Sequence, residues 1–196
     1  MTTYDFVHLV IYAVGGQIQG RTKLQKTVYF VGVLTGKIQD LGYRSHYYGP
    51  FSPAVAGAVQ ELRGLKFLEQ HVSTGDAFDE NEFEMTRYDY ALTPEGTQIA
   101  EEKTIQQAGE WEQIRAAIRR LEAANIPDYV RLAIAAKTDL LTRQGGEHFP
   151  ADVLKQKTAE HGWKAFTEEQ YFDALRFLQT VIGCRLEPVS VCGAST

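Results

Sequence analysis

Apolar residues recur at helical spacing along most of this chain. Tyr4 to Val14 is apolar nearly throughout and stops at Gly15-Gly16, which predicts a first helix, although its β-branched residues leave a strand open. Gly15 to Gly20 reads as a turn. Behind Thr22, Leu24, Val28, Val31 and Leu34 recur at i, i+4, i+7 and i+10, a helix period that ends near Gly36. Tyr29, Phe30 and Val33 make the later turns apolar almost all round, so this second helix should be central and buried. Lys23 and Lys26 sit three apart on one side of its start. Tyr43 to Tyr48 is short and aromatic, the pattern of a strand, and Gly49-Pro50-Phe51 turns the chain. Ser52-Pro53 opens a third helix, with serine as cap and proline at the first helical position. Its apolar stripe is Val55, Val59, Leu62 and Leu65, and its other face is small: Ala54, Ala56, Gly57 and Ala58.

Phe67 to Ser73 and Glu82 to Leu92 read as two strands of a hairpin with a polar, acidic tip over 74–81. Thr93-Pro94 starts another helix. From there the pattern is helical, with segments near 94–107, 109–124, 127–143, 151–161 and 167–183. Thr167 and Gln170 form a capping box for the last of these. The expected class is α+β, mainly helical. The expected division is a first domain over 1–107, a helical extension over 108–186 and a loose C-terminal tail over 187–196.

The composition is that of an ordinary globular chain, 44% hydrophobic and 23% charged over 196 residues. Cys184 and Cys192 make no disulfide framework and no metal spacing. The apolar stretch Phe6 to Val14 is too short to span a bilayer, and no basic segment precedes it. A cytoplasmic protein that avoids membranes is therefore expected. The formal net charge of −5 argues against nucleic acid until it is divided. Residues 1–66 hold seven Lys/Arg and three Asp/Glu, a net of +4. Residues 67–110 hold two basic and eleven acidic residues, a net of −9, and the remainder is neutral. An acidic middle hides a mildly basic front.

Three helices followed by strand, turn and strand is the order of a winged helix-turn-helix. Four strings sharpen that order: Gly20-Arg21-Thr22-Lys23-Leu24-Gln25-Lys26 with Tyr29; Tyr48-Gly49-Pro50-Phe51-Ser52-Pro53; Leu62 with Gly64-Leu65; and Tyr90-Ala91-Leu92-Thr93 with Gly96. Together they resemble the YwgA-like family of small prokaryotic winged-helix-type proteins. More distantly they are similar to the Panacea antitoxin domain, from which Thr27 departs by replacing a usual leucine. Gly162-Trp163-Lys164 with Thr167-Glu168-Glu169 is similar to the C-terminal part of the YwgA-like group. The resemblance implies an N-terminal winged helix-turn-helix with a C-terminal helical extension. For the first family it implies nucleic-acid binding inferred from the fold, and for the second, neutralisation of a partner protein by contact. It implies no active site.

Gly15-x-x-x-x-Gly20-Arg21-Thr22 has the spacing of a phosphate-binding loop, but Arg21 stands where a lysine must reach the β- and γ-phosphates. A glycine-rich turn between two helices is the expected reading. His46, His71, His148 and His161 show no ligand spacing, and Asp139, Glu147 and Asp152 near His148 read as ordinary helix and loop charges. No metal, cofactor or catalytic residue is expected. The leading expectation is a non-enzymatic regulator, acting in transcription, whose basic front contacts nucleic-acid backbone through Arg21, Lys23, Lys26, Arg44, Gln60 and Arg63. Two features oppose it: the third helix offers few base-reading side chains, and the hairpin carries Asp76, Asp79, Glu80, Glu82 and Glu84. Tyr43, Arg44, His46, Tyr47 and Tyr48 could stack bases, but a half-buried edge strand is favoured. The alternative is a protein-binding module, antitoxin-like or an adaptor, that uses Ala56, Gly57, Gln60, Asp79 and Glu80. A homodimer is compatible with either expectation.

Overall fold

The computed structural model describes residues 1–46, 49–78, 84–124, 129–145, 151–160 and 166–183. Its elements run α1 (Thr3–Ala13), β1 (Gln17–Gln19), α2 (Arg21–Leu34), α3 (Pro53–Gly64), β2 (Leu68–Phe78), β3 (Glu84–Leu92), α4 (Pro94–Gln106), α5 (Ala108–Ala123), α6 (Tyr129–Gly145), α7 (Ala151–Glu160) and α8 (Glu168–Ile182). The architecture is α+β and mainly helical. Local chemistry sets several helix starts. The Ser52 hydroxyl accepts the Val55 N–H at 3.0 Å, the Thr93 hydroxyl accepts the Gly96 N–H at 2.9 Å, and Thr167 and Gln170 close a reciprocal box.

The sheet is antiparallel, in the order β1-β3-β2. Ile18 faces Tyr90, and Leu68 faces Leu92, so one face of the sheet joins the core. β1 lies within the stretch that its sequence marks as a turn. Only Ile18 is buried there, between exposed Gln17 and Gln19, and one buried position makes no readable period. Tyr43 to His46 is not a strand. Among the described residues, that stretch makes only an isolated bridge from Arg44 to Phe51, because the Tyr43 ring turns inward. Its hydroxyl donates to the Gln25 carbonyl at 2.7 Å, and its ring meets that of Tyr29 edge-on at 5.0 Å.

Among the described residues, the helices after residue 107 share one hydrophobic core with the front. A single residue, Gln107, separates α4 from α5. One hydrophobic cluster joins Phe6, Leu9, Ile11, Val28, Phe30 and Val55 of the front to Ile114, Leu121, Leu132, Ala135, Phe177 and Val181. Phe30 and Phe177 meet edge-to-face at 5.3 Å. The core therefore passes through the expected boundary at 107. Helix α2 is wrapped on all sides, and α4 starts hard against the entry to β2. A Cβ on Gly96 would lie 2.0 Å from the Phe67 carbonyl oxygen, so only glycine fits there.

Candidate functional site

Two regions of the front collect the residues that the sequence singles out: an inner polar junction and an outer surface. The inner junction lies between α2, the Gly49-Pro50 turn and α6. Lys26 is 2% exposed, and its ammonium donates to the Pro50 carbonyl. Lys137 of α6 is 8% exposed, and its stem lies against Gly49. Gly49 adopts φ +95°, and a Cβ there would stand 2.9 Å from Lys137 Cγ, so glycine is required by both backbone and space. Gln25 brackets the next peptide. Its amide oxygen accepts the Ser52 N–H and its amide nitrogen donates to the Ser52 carbonyl, both at 3.1 Å. The strings that carry the family resemblance thus meet in space, with Gln25-Lys26 holding Gly49-Pro50-Phe51-Ser52.

Burial, then the second ammonium beside it, pushes the Lys26 amine down to about 7. Burial alone pushes Lys137 down to about 8. One turn away, the Tyr29 hydroxyl donates to Asp139 Oδ2 at 2.7 Å, and Arg143 Nε donates to the same oxygen at 2.7 Å. Burial, with Asp139 close by, holds the Tyr29 hydroxyl far above its ordinary range, and burial does the same to Tyr43. This junction corrects two expectations. Lys26 does not belong to the basic front, since its head is inside the protein. Asp139 is not an ordinary helix charge, since it is buried and anchors a tyrosine from another helix.

A second polar chain, buried at His8 and half-buried at Asp5 and Lys103, ties α1 to α4. Asp5 and Lys103 pair at 2.7 Å, and Lys103 Nζ lies 3.2 Å from His8 Nδ1. His8 Nε2 lies 2.8 Å from the Gly96 carbonyl, so the proton belongs on Nε2 and Nδ1 accepts from the lysine. Burial, then the neighbouring Lys103, drives the imidazole down to about 4. His8 is neutral at physiological pH and acts as a cross-brace. Further along α1, Tyr12, Glu101, Trp111 and Arg115 line an open depression. There the Tyr12 hydroxyl already bonds Glu101 at 3.4 Å, and Arg115 bonds Glu112 at 3.1 Å.

The outer surface carries the remaining predicted residues. Arg21 is exposed and lays its guanidinium 3.5 Å from the centre of the Tyr88 ring. Lys23 is half-buried, and Arg44 is exposed on the bridge to Phe51. On α3, Arg63 donates to Gln60 Oε1 at 2.8 Å. Gln60 is exposed, whereas Arg63 and Ala56 are half-buried. The outward face of α3 consists of Pro53, Ala54, Gly57, Gln60, Glu61 and Gly64, and a Cβ added to Gly57 or Gly64 would meet nothing within 4 Å. Asp79 and Glu80, with Tyr47, Tyr48, Glu147 and His148, lie outside the described residues, as does the predicted tail over 187–196.

The sequence reading missed Lys137, Tyr29 and His8 as polar anchors. One signal was available: Lys137, Thr138 and Asp139 interrupt an otherwise apolar run from Leu132 to Leu141. No helix among the described residues is long and apolar enough to cross a membrane. No known family model matches the chain. It is similar to "Uncharacterized protein YwgA" of Bacillus subtilis (strain 168), with 32% identity over 88 residues. The aligned part is 44% of this chain and 48% of YwgA, so the chain spans about half the length of that relative. The similarity supports a distant YwgA-like relationship.

Proposed function

We propose that the chain is a non-enzymatic protein-binding module that receives a helix of a partner protein along the outward face of α3. Ala54, Gly57, Glu61 and Gly64 follow at intervals of three, four and three residues, the seam spacing along which two helices pack. Gly57 carries the reading. It is exposed in mid-helix, and no described residue stands within 4 Å of a Cβ placed there. A glycine in that position costs the free chain roughly 1 kcal/mol relative to alanine. Close approach of an outside backbone would offset that cost. Glu61, the one charged residue of the four, favours a basic residue on the incoming helix. The acidic hairpin, with Asp79 and Glu80 in its sequence, adds charge of the same sign. The order α1-β1-α2-α3-β2-β3, with the sheet order β1-β3-β2, supports a winged-helix-type front in which α3 stands in the place of a recognition helix.

The test is affinity capture from the native host with wild type, Gly57→Ala and Gly57→Arg, each checked for unchanged thermal unfolding. A protein recovered by wild type and Gly57→Ala but lost by Gly57→Arg is the expected outcome. Equal recovery by all three, or none by wild type, removes the reading. A second reading, in which Arg21, Lys23, Arg44 and Arg63 grip nucleic-acid backbone, is favoured by the start of α2. Gly20 supplies no side-chain cap there and the first turn holds no acid of its own, so the part of the helix dipole that Asp89, accepting the Gly20 N–H at 3.1 Å, leaves uncompensated adds to Arg21 and Lys23. That binding must weaken steeply with salt and with Lys23→Glu in a gel-shift series. Its absence at low salt eliminates it.

A further inference from the structure

We propose that β2 pairs along its outer edge with β2 of a second copy, joining two three-stranded sheets into one of six strands. This surface is separate from α3 and does not depend on the reading above. Among the described residues β2 is an edge strand, because β3 lies between it and β1 and no described strand pairs with its other side. The hydrogen bonds from Leu92 N–H to the Gly16 carbonyl and from Gly20 N–H to the Tyr88 carbonyl show that Tyr88, Tyr90 and Leu92 aim their backbone groups at β1. The bond from Thr93 N–H to the Phe67 carbonyl shows the opposite phase toward β2. Antiparallel alternation then assigns Glu69, His71 and Ser73 to the ladder with β3, and leaves the N–H and C=O groups of Gln70, Val72 and Thr74 pointing outward.

Edges of this kind are ordinarily guarded by short length, charged side chains, above all lysine, proline or a bulge. β2 runs from Leu68 to Phe78 and contains neither lysine nor proline; its charged residues are Glu69 and Asp76, on either side of the stretch Gln70 to Gly75. Its register irregularity lies between Thr74 and Phe78, so Leu68 to Thr74 is regular. Val72, on that regular stretch, is 57% exposed.

The occupant that fits is another β2, because the strand is complementary to itself in the antiparallel sense. A two-fold axis at Val72 sets Val72 against Val72, Gln70 against Thr74, His71 against Ser73 and Glu69 against Gly75. No like charges face each other. The same register sets exposed Lys66, at the base of one strand, opposite Phe78 of its partner, with Asp76 as its diagonal neighbour.

Sedimentation of the full chain over a concentration series tests this. Wild type should associate to twice its 22.0 kDa mass. Val72→Pro deletes an N–H that points away from β3, so it spares the ladder and removes the central pair of bonds between copies. The dissociation constant should rise about ten- to a hundredfold, the worth of two hydrogen bonds. Val72→Lys keeps the N–H but sets like charges across the axis, and should also give monomers with an unchanged melting profile. Lys66→Glu and Asp76→Lys should each weaken the dimer, and the double variant should regain it. A wild type that stays monomeric at millimolar concentration overturns the proposal. So does a dimer indifferent to both Val72 variants.

Discussion

The inner junction and the outer face of α3 lie on neighbouring elements of one small front, yet they use opposite chemistry. The junction packs two lysines, two tyrosines, an aspartate and an arginine around the Gly49-Pro50 turn, most of them buried. The α3 face presents alanine and glycine to solvent with a single acid among them. By chemical content alone the junction would be taken for the site and the helix face for filler. Geometry supports the opposite assignment, the one proposed above. The bonds that Gln25, Lys26 and Tyr29 make in the junction run within the protein, to a backbone carbonyl or to one another, which is how a loop is fixed to two helices. The helix face has backbone open to solvent and, among the described residues, nothing within 4 Å of a Cβ placed on Gly57 or Gly64.

The sharpest way to break this comparison is to attack the junction. Asp139→Ala strips the Tyr29 hydroxyl of its acceptor and leaves Arg143 without that partner. Removing one member of a buried charged network costs about 3 kcal/mol. Denaturant unfolding should show a loss of that size, with capture of a partner by α3 retained below the new midpoint. A loss under about 1 kcal/mol, within the range of an exposed ion pair, would mean that the junction is not scaffold.

Next in size is a proton-linked effect. Lys26 falls from an ordinary 10.5 to about 7 on folding, and Lys137 from 10.5 to about 8. Below pH 7 both amines are charged in the folded and the unfolded chain, and the full burial cost is present. Between pH 7 and 10 the unfolded chain holds more protons than the folded one, so stability must rise with pH. The rise should be on the order of 2 kcal/mol after relaxation of the site. Lys26→Met removes the larger part of it, leaving a shallower rise from Lys137, and should unfold later than wild type at pH 6.5. Urea midpoints at pH 6.5, 8 and 9.5 check this. A flat wild-type profile across that window would show that neither amine is shifted.

Much of this was legible in the sequence, and the failures have physical causes. Ser52-Pro53, Thr93-Pro94 and Thr167 with Gln170 announce their helices because capping is local chemistry, complete within four residues. β1 escaped because its fold value comes from β3, more than sixty residues away. Lys26 is more instructive. Its spacing from Lys23 places both on one side of α2, but spacing reports a side of a helix and not what lies against it. The same sequence predicts α2 to be apolar nearly all round, and a helix wrapped on every side has no solvent face beyond its first turn. Lys23 sits in that turn and Lys26 in the next, so burial of Lys26 was implied by the stripe that seemed independent of it. Asp139 failed differently, because its partner Tyr29 is distant in sequence and no local pattern joins them.

The smallest effect bears on the other half of the comparison. Gly57 is helical, exposed and unobstructed, so Gly57→Ala should raise the stability of the free protein by about 0.5–1 kcal/mol, the propensity difference between the two residues. The gain should be the same at pH 6.5 and 9.5, because no titrating group is involved, which separates it from the Lys26 variant. If the free chain instead loses stability, the glycine is needed by the fold, and the α3 face ceases to be a surface kept open for something else. If it gains stability, the chain carries a helix weaker than its own packing requires, at the point where an outside backbone can approach. A methyl group is small enough for a partner helix to tolerate, whereas the arginine of Gly57→Arg is not. Stability and capture should therefore part company along the series glycine, alanine, arginine, with stability rising from glycine to alanine and capture failing only at arginine.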